Sequence, residues 1–242
     1  KAWPRYVRLA IQNWRWVFAM GGGGLAGFSL LLVYAAQYTT AVNLGIMQGV
    51  VPAVVMLLGW LIYRTRIGWL QFFGLCSSLT GILVLVSAGS LATILALRFN
   101  FGDLLMVAAC VCYGAYTVAL AKRLEMPPVL LLCFFAFCAF LTCSLFLIAE
   151  YANGDLVLPG VKGSLLLFYS AIFPSILSQT FYMRGVELAG ANRAGLYVNM
   201  VPIFAAFLAM LILSETMYLY HIMALFMVLG GIFLAQRGKI KT

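Results

Sequence analysis

Residues 191–212 read ANRAGLYVNMVPIFAAFLAMLI, an apolar segment in which Arg193 is the only charged side chain. An α-helix of about 20 apolar residues is long enough to cross a lipid bilayer. The whole chain has 242 residues, of which 65% are hydrophobic and only 9% charged, whereas about a quarter of the residues in a soluble domain carry a charge. The segment therefore predicts a membrane-spanning helix, and the composition excludes a water-soluble globular domain.

Eight segments of this kind follow one another along the chain, separated by short connections. They cover residues 16–38, 42–63, 68–88, 103–121, 128–149, 163–183, 192–213 and 218–236. Each is continuously apolar, whereas the strands of a membrane β-barrel are about ten residues long and alternate in polarity. The sequence thus predicts an all-α fold, a polytopic membrane helix bundle with eight transmembrane helices.

The connections between these segments carry most of the charge. Residues 1–15 interleave tryptophans with arginines, which is typical of an interfacial lead-in with aromatic rings at the depth of the lipid headgroups. Residues 89–102 are predicted to be an external connector, and residues 239–242 a short cytoplasmic tail. The cations lie in clusters between apolar segments rather than along one surface, so the expected partner is the lipid bilayer and not nucleic acid.

The basic residues also predict the orientation of the chain. When successive connections are placed on alternate sides, 13 of the 15 Lys and Arg residues fall on one side, and only Arg98 and Lys162 on the other. Cytoplasmic loops carry the excess of positive charge. Both termini of the chain are therefore expected in the cytoplasm, and the polar turn at 150–162 on the external side.

The segment at 191–212 has a counterpart 150 residues earlier, because residues 41–62 read AVNLGIMQGVVPAVVMLLGWLI. The residues that recur at this offset without a gap include Ala41, Gly45, Val51, Pro52, Leu58, Leu61, Ile62, Gly81 and Ile82. The helix that begins near Ala41 starts outside, whereas the one that begins near Ala191 starts in the cytoplasm. The repeat is thus predicted to be inverted, an arrangement typical of secondary transporters that bind substrate where the repeats meet.

The same offset divides the chain into two parts. Residues 16–88 form three helices of a first repeat, and residues 103–238 form the five helices of a second. Helices four and five, at 103–149, would have their partners before residue 1. The sequence therefore predicts two inverted five-helix repeats of which the first lacks two helices.

Neutral polar side chains cluster near the middle of several predicted helices, where they could contact a substrate. Amide residues lie close to the two repeat-related prolines, and aromatic, hydroxyl and amide groups follow on the fourth and sixth helices. The predicted substrate-binding residues are Gln48, Pro52, Tyr113, Tyr116, Ser178, Gln179, Asn199 and Pro202. Such groups suit a small amphipathic metabolite, for example an amino acid. They could equally do no more than hydrogen-bond helices to one another, and the sequence leaves both interpretations open.

Metal and catalytic chemistry find no support in the sequence. His221 is the only histidine, and the six cysteines lie inside apolar segments without the close spacing of a zinc site. No predicted span has a carboxylate near its middle that could act as a catalytic acid or base or as a proton relay. We therefore expect no metal, no cofactor and no enzymatic activity. Coupling groups would lie in the absent helices, or the protein would follow the gradient of its substrate.

Three stretches resemble the EamA-type carriers of the drug/metabolite transporter superfamily. They are GANRAGLYVNMVPIFAAFLAMLILSE at Gly190–Glu215, its weaker partner YAAQYTTAVNLGIMQGVVPAVV at Tyr34–Val55, and GGIFLAQR at Gly230–Arg237. The resemblance implies ten helices in a bacterial inner (plasma) membrane and export of small organic metabolites by alternating access. One departure is that Arg64-Thr65-Arg66 stands where the first repeat of the family often has Gly-Glu. The alternative function is a non-transporting membrane scaffold or assembly partner, and a homodimer is left open.

Overall fold

The computed structural model describes residues 3–96, 100–154, 156–213 and 218–237. Within these ranges the chain is helical apart from short connections, and no strand is present. Arg98, Asp155 and the predicted tail at 239–242 lie outside them. The helices in chain order are α1 Trp3–Gln12, α2 Trp14–Ala35, α3 Ala41–Gln48, α4 Val51–Tyr63, α5 Trp69–Val86, α6 Leu91–Leu95, α7 Phe101–Leu120, α8 Pro128–Asn153, α9 Val161–Ala189, α10 Ala191–Tyr197, α11 Met200–Leu213 and α12 Leu219–Arg237.

The predicted all-α polytopic membrane bundle is confirmed, whereas the count of eight spans is approximate. Among the described residues, 7 helical segments are long and apolar enough to cross a membrane: α2, α3 with α4, α5, α7, α8, α9 and α12. The predicted span at 192–213 instead consists of two shorter helices, α10 and α11, with a break at 198–199.

Several predicted boundaries were wrong by a few residues. The first span begins at Trp14 rather than residue 16, and α9 extends beyond the predicted 163–183 at both ends. Helix α8 continues into the predicted polar turn at 150–162 and ends only at Asn153, where the next residue, Gly154, has a left-handed φ of 77°. Polar side chains in a last helical turn reach the membrane interface without ending the helix, whereas a left-handed glycine does end it.

Two of the membrane segments are broken at equivalent positions. The break between α3 and α4 lies at 49–50, and that between α10 and α11 at 198–199. At both, backbone N–H groups donate to carbonyls three residues earlier, which is the tighter turn of a 3₁₀-helix. Pro52 and Pro202 follow within one turn, and proline has no N–H with which to continue the helical ladder. The two irregularities therefore have the same chemical origin.

Helices α2 and α9 share a different irregularity, a π-helical segment of 8 residues. It covers Ala19–Ala26 in α2, where four glycines follow one another, and Ala171–Ser178 in α9, where Pro174 interrupts the backbone ladder. The two segments are 152 residues apart, close to the offset of the sequence repeat. Such widened turns commonly occur at functional sites in helices.

Helices α5 and α12 pack closely in antiparallel orientation. A Cβ atom added to Gly74 would overlap the carbonyl oxygen of Gly231, and one added to Gly81 would lie 3.0 Å from the carbonyl oxygen of Ala224. The Ser77 hydroxyl donates to a carbonyl of α12 at 2.9 Å. The repeat offset of 150 residues relates Gly74 to Ala224 and Gly81 to Gly231. It therefore converts the contact between Gly74 and Gly231 into the contact between Ala224 and Gly81, as a twofold relation between inverted repeats requires.

Helix α9 lies at the edge of the described bundle, whereas α2 lies inside it. In the most apolar 18 residues of α9 none is buried, against 33% of the corresponding stretch of α2. Helices α7 and α8 both pack against α2. Buried Tyr116, Phe135 and Met183 form a common core between α2, α7, α8 and the C-terminal half of α9. Leu132, which also belongs to this core, lines a cavity among the same four helices.

Candidate functional site

Two cavities near the middle of the helices are lined by described residues, and the larger lies among α2, α7, α8 and α9. It has a volume of about 440 Å³. Its wall is mostly apolar, with polar groups contributed by Ser29, Tyr113, Ser175 and Gln179. An apolar concave site with a few polar groups is the usual form of a small-molecule site. We call this space the α2–α9 cavity.

The two π-helical segments position the walls of this cavity. Gly21 and Gly24 allow α2 to approach its neighbours closely, because a Cβ atom at Gly21 would overlap the Phe135 carbonyl oxygen and one at Gly24 would lie 2.8 Å from the Tyr116 Cβ atom. On the other side, Pro174 lines the cavity within the π-helical segment of α9. The irregular turns of both helices thus face the same space.

Beyond one end of the cavity lies a layer of tyrosines. The ring of Tyr113, which lines the cavity, is 5.7 Å from each of the rings of Tyr116 and Tyr182. The Tyr116 hydroxyl donates to the Gln179 Oε1 atom at 3.4 Å, and the Tyr182 hydroxyl lies 2.9 Å from the Thr117 Oγ1 atom. These contacts join α7 to α9 and separate the cavity from the connection at 121–127.

An ion pair closes the same end further out. The Glu187 carboxylate contacts the Arg123 guanidinium at 2.8 Å and the Arg184 guanidinium at 2.5 Å. Exposed ion pairs contribute little to stability, so their importance here is geometric. Arg123 follows α7 and Glu187 is near the end of α9, so the pair joins the two helices beyond the tyrosine layer. The α2–α9 cavity is therefore closed on the side that the charge pattern predicts to be cytoplasmic.

The smaller cavity, of about 240 Å³, lies at the two helix breaks. We call it the break cavity; its lining residues are Gly45, Gln48, Gly49, Val198, Asn199, Val201, Pro202 and Ala205. Asn199 is only 1% exposed, and its Nδ2 atom donates to the Ser78 Oγ atom at 2.8 Å. Its Oδ1 atom has no hydrogen-bond partner in the described part of the chain.

Five of the eight predicted site residues line one of these two cavities, and the structure does not bring all eight to one site. Tyr113 and Gln179 line the α2–α9 cavity, with Tyr116 buried behind them. Gln48, Asn199 and Pro202 line the break cavity, and Pro52 is buried near it. Ser178 is exposed on α9 and contributes to neither lining. Substrate binding by these residues stays a prediction.

Helix α8 contributes a wall that sequence reasoning missed. Leu132, Ala136, Phe140 and Cys143 line the α2–α9 cavity from this helix, and none of the predicted site residues belongs to it. A continuously apolar helix gives no polarity contrast between a cavity face and a lipid face. No signal in the sequence could have identified this wall.

A third polar cluster surrounds Asp103, and its hydrogen bonds are made within the protein, which indicates a structural role. Asp103 is 1% exposed, and its carboxylate accepts hydrogen bonds from Thr39 Oγ1 at 2.6 Å, Asn43 Nδ2 at 3.1 Å and the Asn100 backbone N–H at 2.9 Å. Asn100 in turn caps α7 through the Asp103 backbone N–H. The cluster fixes the connection after α2 to the start of α7, at the predicted external end.

The fold defines a polytopic membrane bundle with cavities at irregular helix turns, and similarity to known proteins agrees with it. The sequence matches the EamA-like transporter family over residues 2–87 and 100–236. YetK of Bacillus subtilis (strain 168), named an uncharacterized transporter, is 28% identical over 222 residues, which are 89% of this chain and 66% of that protein. An uncharacterized transporter of Archaeoglobus fulgidus is 26% identical over 215 residues, covering 87% of this chain and 73% of that protein.

A solved structure shows the same fold. One protein crystal structure superposes with a TM-score of 0.77 at 18% identity, over 95% of this chain and 81% of that chain. The chain belongs to the EamA-like transporter family. It is an integral membrane protein of a family of transporters rather than an enzyme, and it spans 66% of the length of YetK.

Proposed function

We propose that the chain forms the greater part of a carrier that exports small organic metabolites, such as amino acids or related compounds. The observation that carries this proposal is the α2–α9 cavity, closed at one end by the tyrosine layer and the Arg123–Glu187 ion pair. A carrier must present its site to one side of the membrane at a time. A non-transporting scaffold has no need of such a cavity, so the carrier is the better supported function.

The lining of the cavity indicates the kind of substrate. It combines aromatic and aliphatic surface from Phe28, Leu132 and Phe140 with the Tyr113 hydroxyl and the Gln179 amide. No charged side chain is among the lining residues. An ion with a net charge would be poorly compensated there. We therefore favour substrates without net charge, which include zwitterions and neutral amphipathic compounds.

Alternating access would use the irregular helix turns. The breaks at 49–50 and 198–199 and the π-helical segments of α2 and α9 lack a regular backbone ladder. Such points absorb changes in backbone angle at lower cost than a continuous helix. Opening the tyrosine layer while the opposite end closes would move the substrate across the membrane by rocking one repeat against the other.

A metabolite screen with the protein as the cell makes it would test this function. Cells that express the wild type should export at least one small organic metabolite, and Gln179→Leu should lower that transport by about tenfold, since a buried hydrogen bond to substrate is lost. Thr180→Val is the matched control, because Thr180 neighbours Gln179 but lies outside the cavity lining. Equal transport by wild type and Gln179→Leu would contradict the proposed site.

We also propose that both termini of the chain lie in the cytoplasm of a bacterial cell. In a cysteine-free background, Gly160→Cys and Ile67→Cys place single thiols in the connections before α9 and before α5. A membrane-impermeant maleimide should label Gly160→Cys in intact cells, and Ile67→Cys only after permeabilisation, because the 13 to 2 division of Lys and Arg puts residue 67 inside. Labelling in the opposite order would reverse the topology.

A further inference from the structure

The buried side-chain amide of Asn199 has an oxygen without a hydrogen-bond partner among the described residues. Its Nδ2 atom donates to Ser78, but its Oδ1 atom has no partner among the described residues. Only 1% of the residue is exposed. Leaving a buried acceptor unpaired costs about 1–3 kcal/mol. Asn199 lines the break cavity, whose volume of about 240 Å³ is ample for a small ligand. The oxygen therefore favours a ligand that donates hydrogen bonds or carries positive charge.

The rest of the lining offers further oxygens and no charge. Gln48 contributes a side-chain amide, and its backbone carbonyl cannot receive the usual helical hydrogen bond because Pro52 has no N–H. Each break ends one helix and begins another, so the helix dipoles largely cancel there. The side-chain and carbonyl oxygens thus decide the preference of the cavity.

The absence of carboxylates from this lining restricts the charge of the ligand. Divalent cations in proteins take several carboxylate oxygens, and none is among the lining residues of the break cavity. Neutral oxygens at unwound helix turns are the ligands with which transporters hold monovalent ions. A cation with a single charge is the ligand that fits both observations.

We propose that the break cavity binds a small monovalent cation, with the Asn199 Oδ1 atom as its principal ligand. The cation is either free Na⁺ or the primary ammonium group of a small organic amine that binds separately from the substrate of the α2–α9 cavity, since both present one positive charge to neutral oxygens. The site gives the carrier a means of coupling that requires no titratable residue. That coupling rests on the proposed function, whereas cation binding itself does not and is measured without transport.

Thermal unfolding of the purified protein, as the cell makes it, tests the binding. At constant ionic strength in choline chloride, replacement of choline by Na⁺ or by methylammonium should raise the Tm by a few degrees, because a ligand that binds only the folded state stabilises it. Asn199→Leu should remove this shift, and Asn199→Asp should keep or enlarge it by supplying a charged oxygen. Thr80→Val, on the exposed face of α5, should respond like the wild type.

The outcomes separate the two sources of charge. A shift with Na⁺ alone assigns a free metal ion, and a shift with methylammonium alone assigns the ammonium group of an organic amine. If Asn199→Leu does not fold, the thermal measurement is made on Gln48→Leu instead. Direct binding of ²²Na⁺ or radiolabelled methylammonium to the wild type then gives a second measurement. No shift and no saturable binding of either cation would overturn the proposal, and transport that persists without Na⁺ would leave the carrier function standing.

Discussion

Replacing Gly231 by valine should prevent the protein from folding in the membrane, whereas the same replacement at the adjacent Gly230 should be almost neutral. A Cβ atom at Gly231 would overlap the Gly74 carbonyl oxygen and lie 2.8 Å from the Ser78 backbone nitrogen, whereas at Gly230 it would meet nothing within 4 Å. Backbone atoms cannot move aside as a side chain can, so we expect a loss of more than about 3 kcal/mol. Membrane helices depend on such close contacts between small residues.

Gly230→Val is a strict control because both variants replace a helical glycine by the same β-branched residue. The change in helix propensity is therefore equal in the two proteins. Yield of monodisperse protein and the unfolding temperature in detergent are the quantities to compare. Equal yield and stability of the two variants would show that the α5–α12 contact is not as close as described.

A chain consisting of residues 1–242 alone should be unable to transport. The twofold relation places α2 and α9 at equivalent positions. Helices α7 and α8 cover α2, whereas no residue in the apolar stretch of α9 is buried. The helices that would cover α9 are the predicted partners of 103–149. Without them one wall of the α2–α9 cavity stands open to lipid, and we expect transport in vesicles at the background level.

The comparison for this prediction is the protein as the cell makes it, reconstituted at the same density. Both preparations should contain folded, monodisperse protein before their transport is compared. Full activity from residues 1–242 would show that the described helices suffice and that the first repeat needs no further members. The inverted repeat would then have to be reinterpreted as incomplete but functional.

The helical architecture could be predicted from the sequence because membrane helices are limited by the thickness of the bilayer. Apolar length predicts the segments, whereas the breaks before Pro52 and Pro202 were not predicted and are seen only in the structure. The ends were less certain, since the polar residues near Asn153 do not stop a helix that is about to leave the membrane. The π-helical segment of α9 at Pro174 could have been suspected from the proline alone.

The site could be predicted only in part. Polar residues such as Gln179 stand out in an apolar helix, so their depth and face are readable from spacing. The partner of Asn199 is Ser78, 121 residues away along the chain, and periodicity within one helix cannot reveal such a contact. The wall from α8 is apolar on all sides, and hydrophobicity does not tell a side chain in a cavity from one in lipid.

The most direct test of a substrate site in the α2–α9 cavity uses two cysteines of α8. Both are exposed, but Cys143 lines the cavity, whereas Cys133 lies on the same helix outside the lining. Two variants would each retain one of these cysteines alone, and alkylation by N-ethylmaleimide would be followed with and without the transported metabolite. We predict that the metabolite slows modification of Cys143 and leaves Cys133 unchanged. Equal rates at Cys143 with and without the metabolite would contradict binding in this cavity.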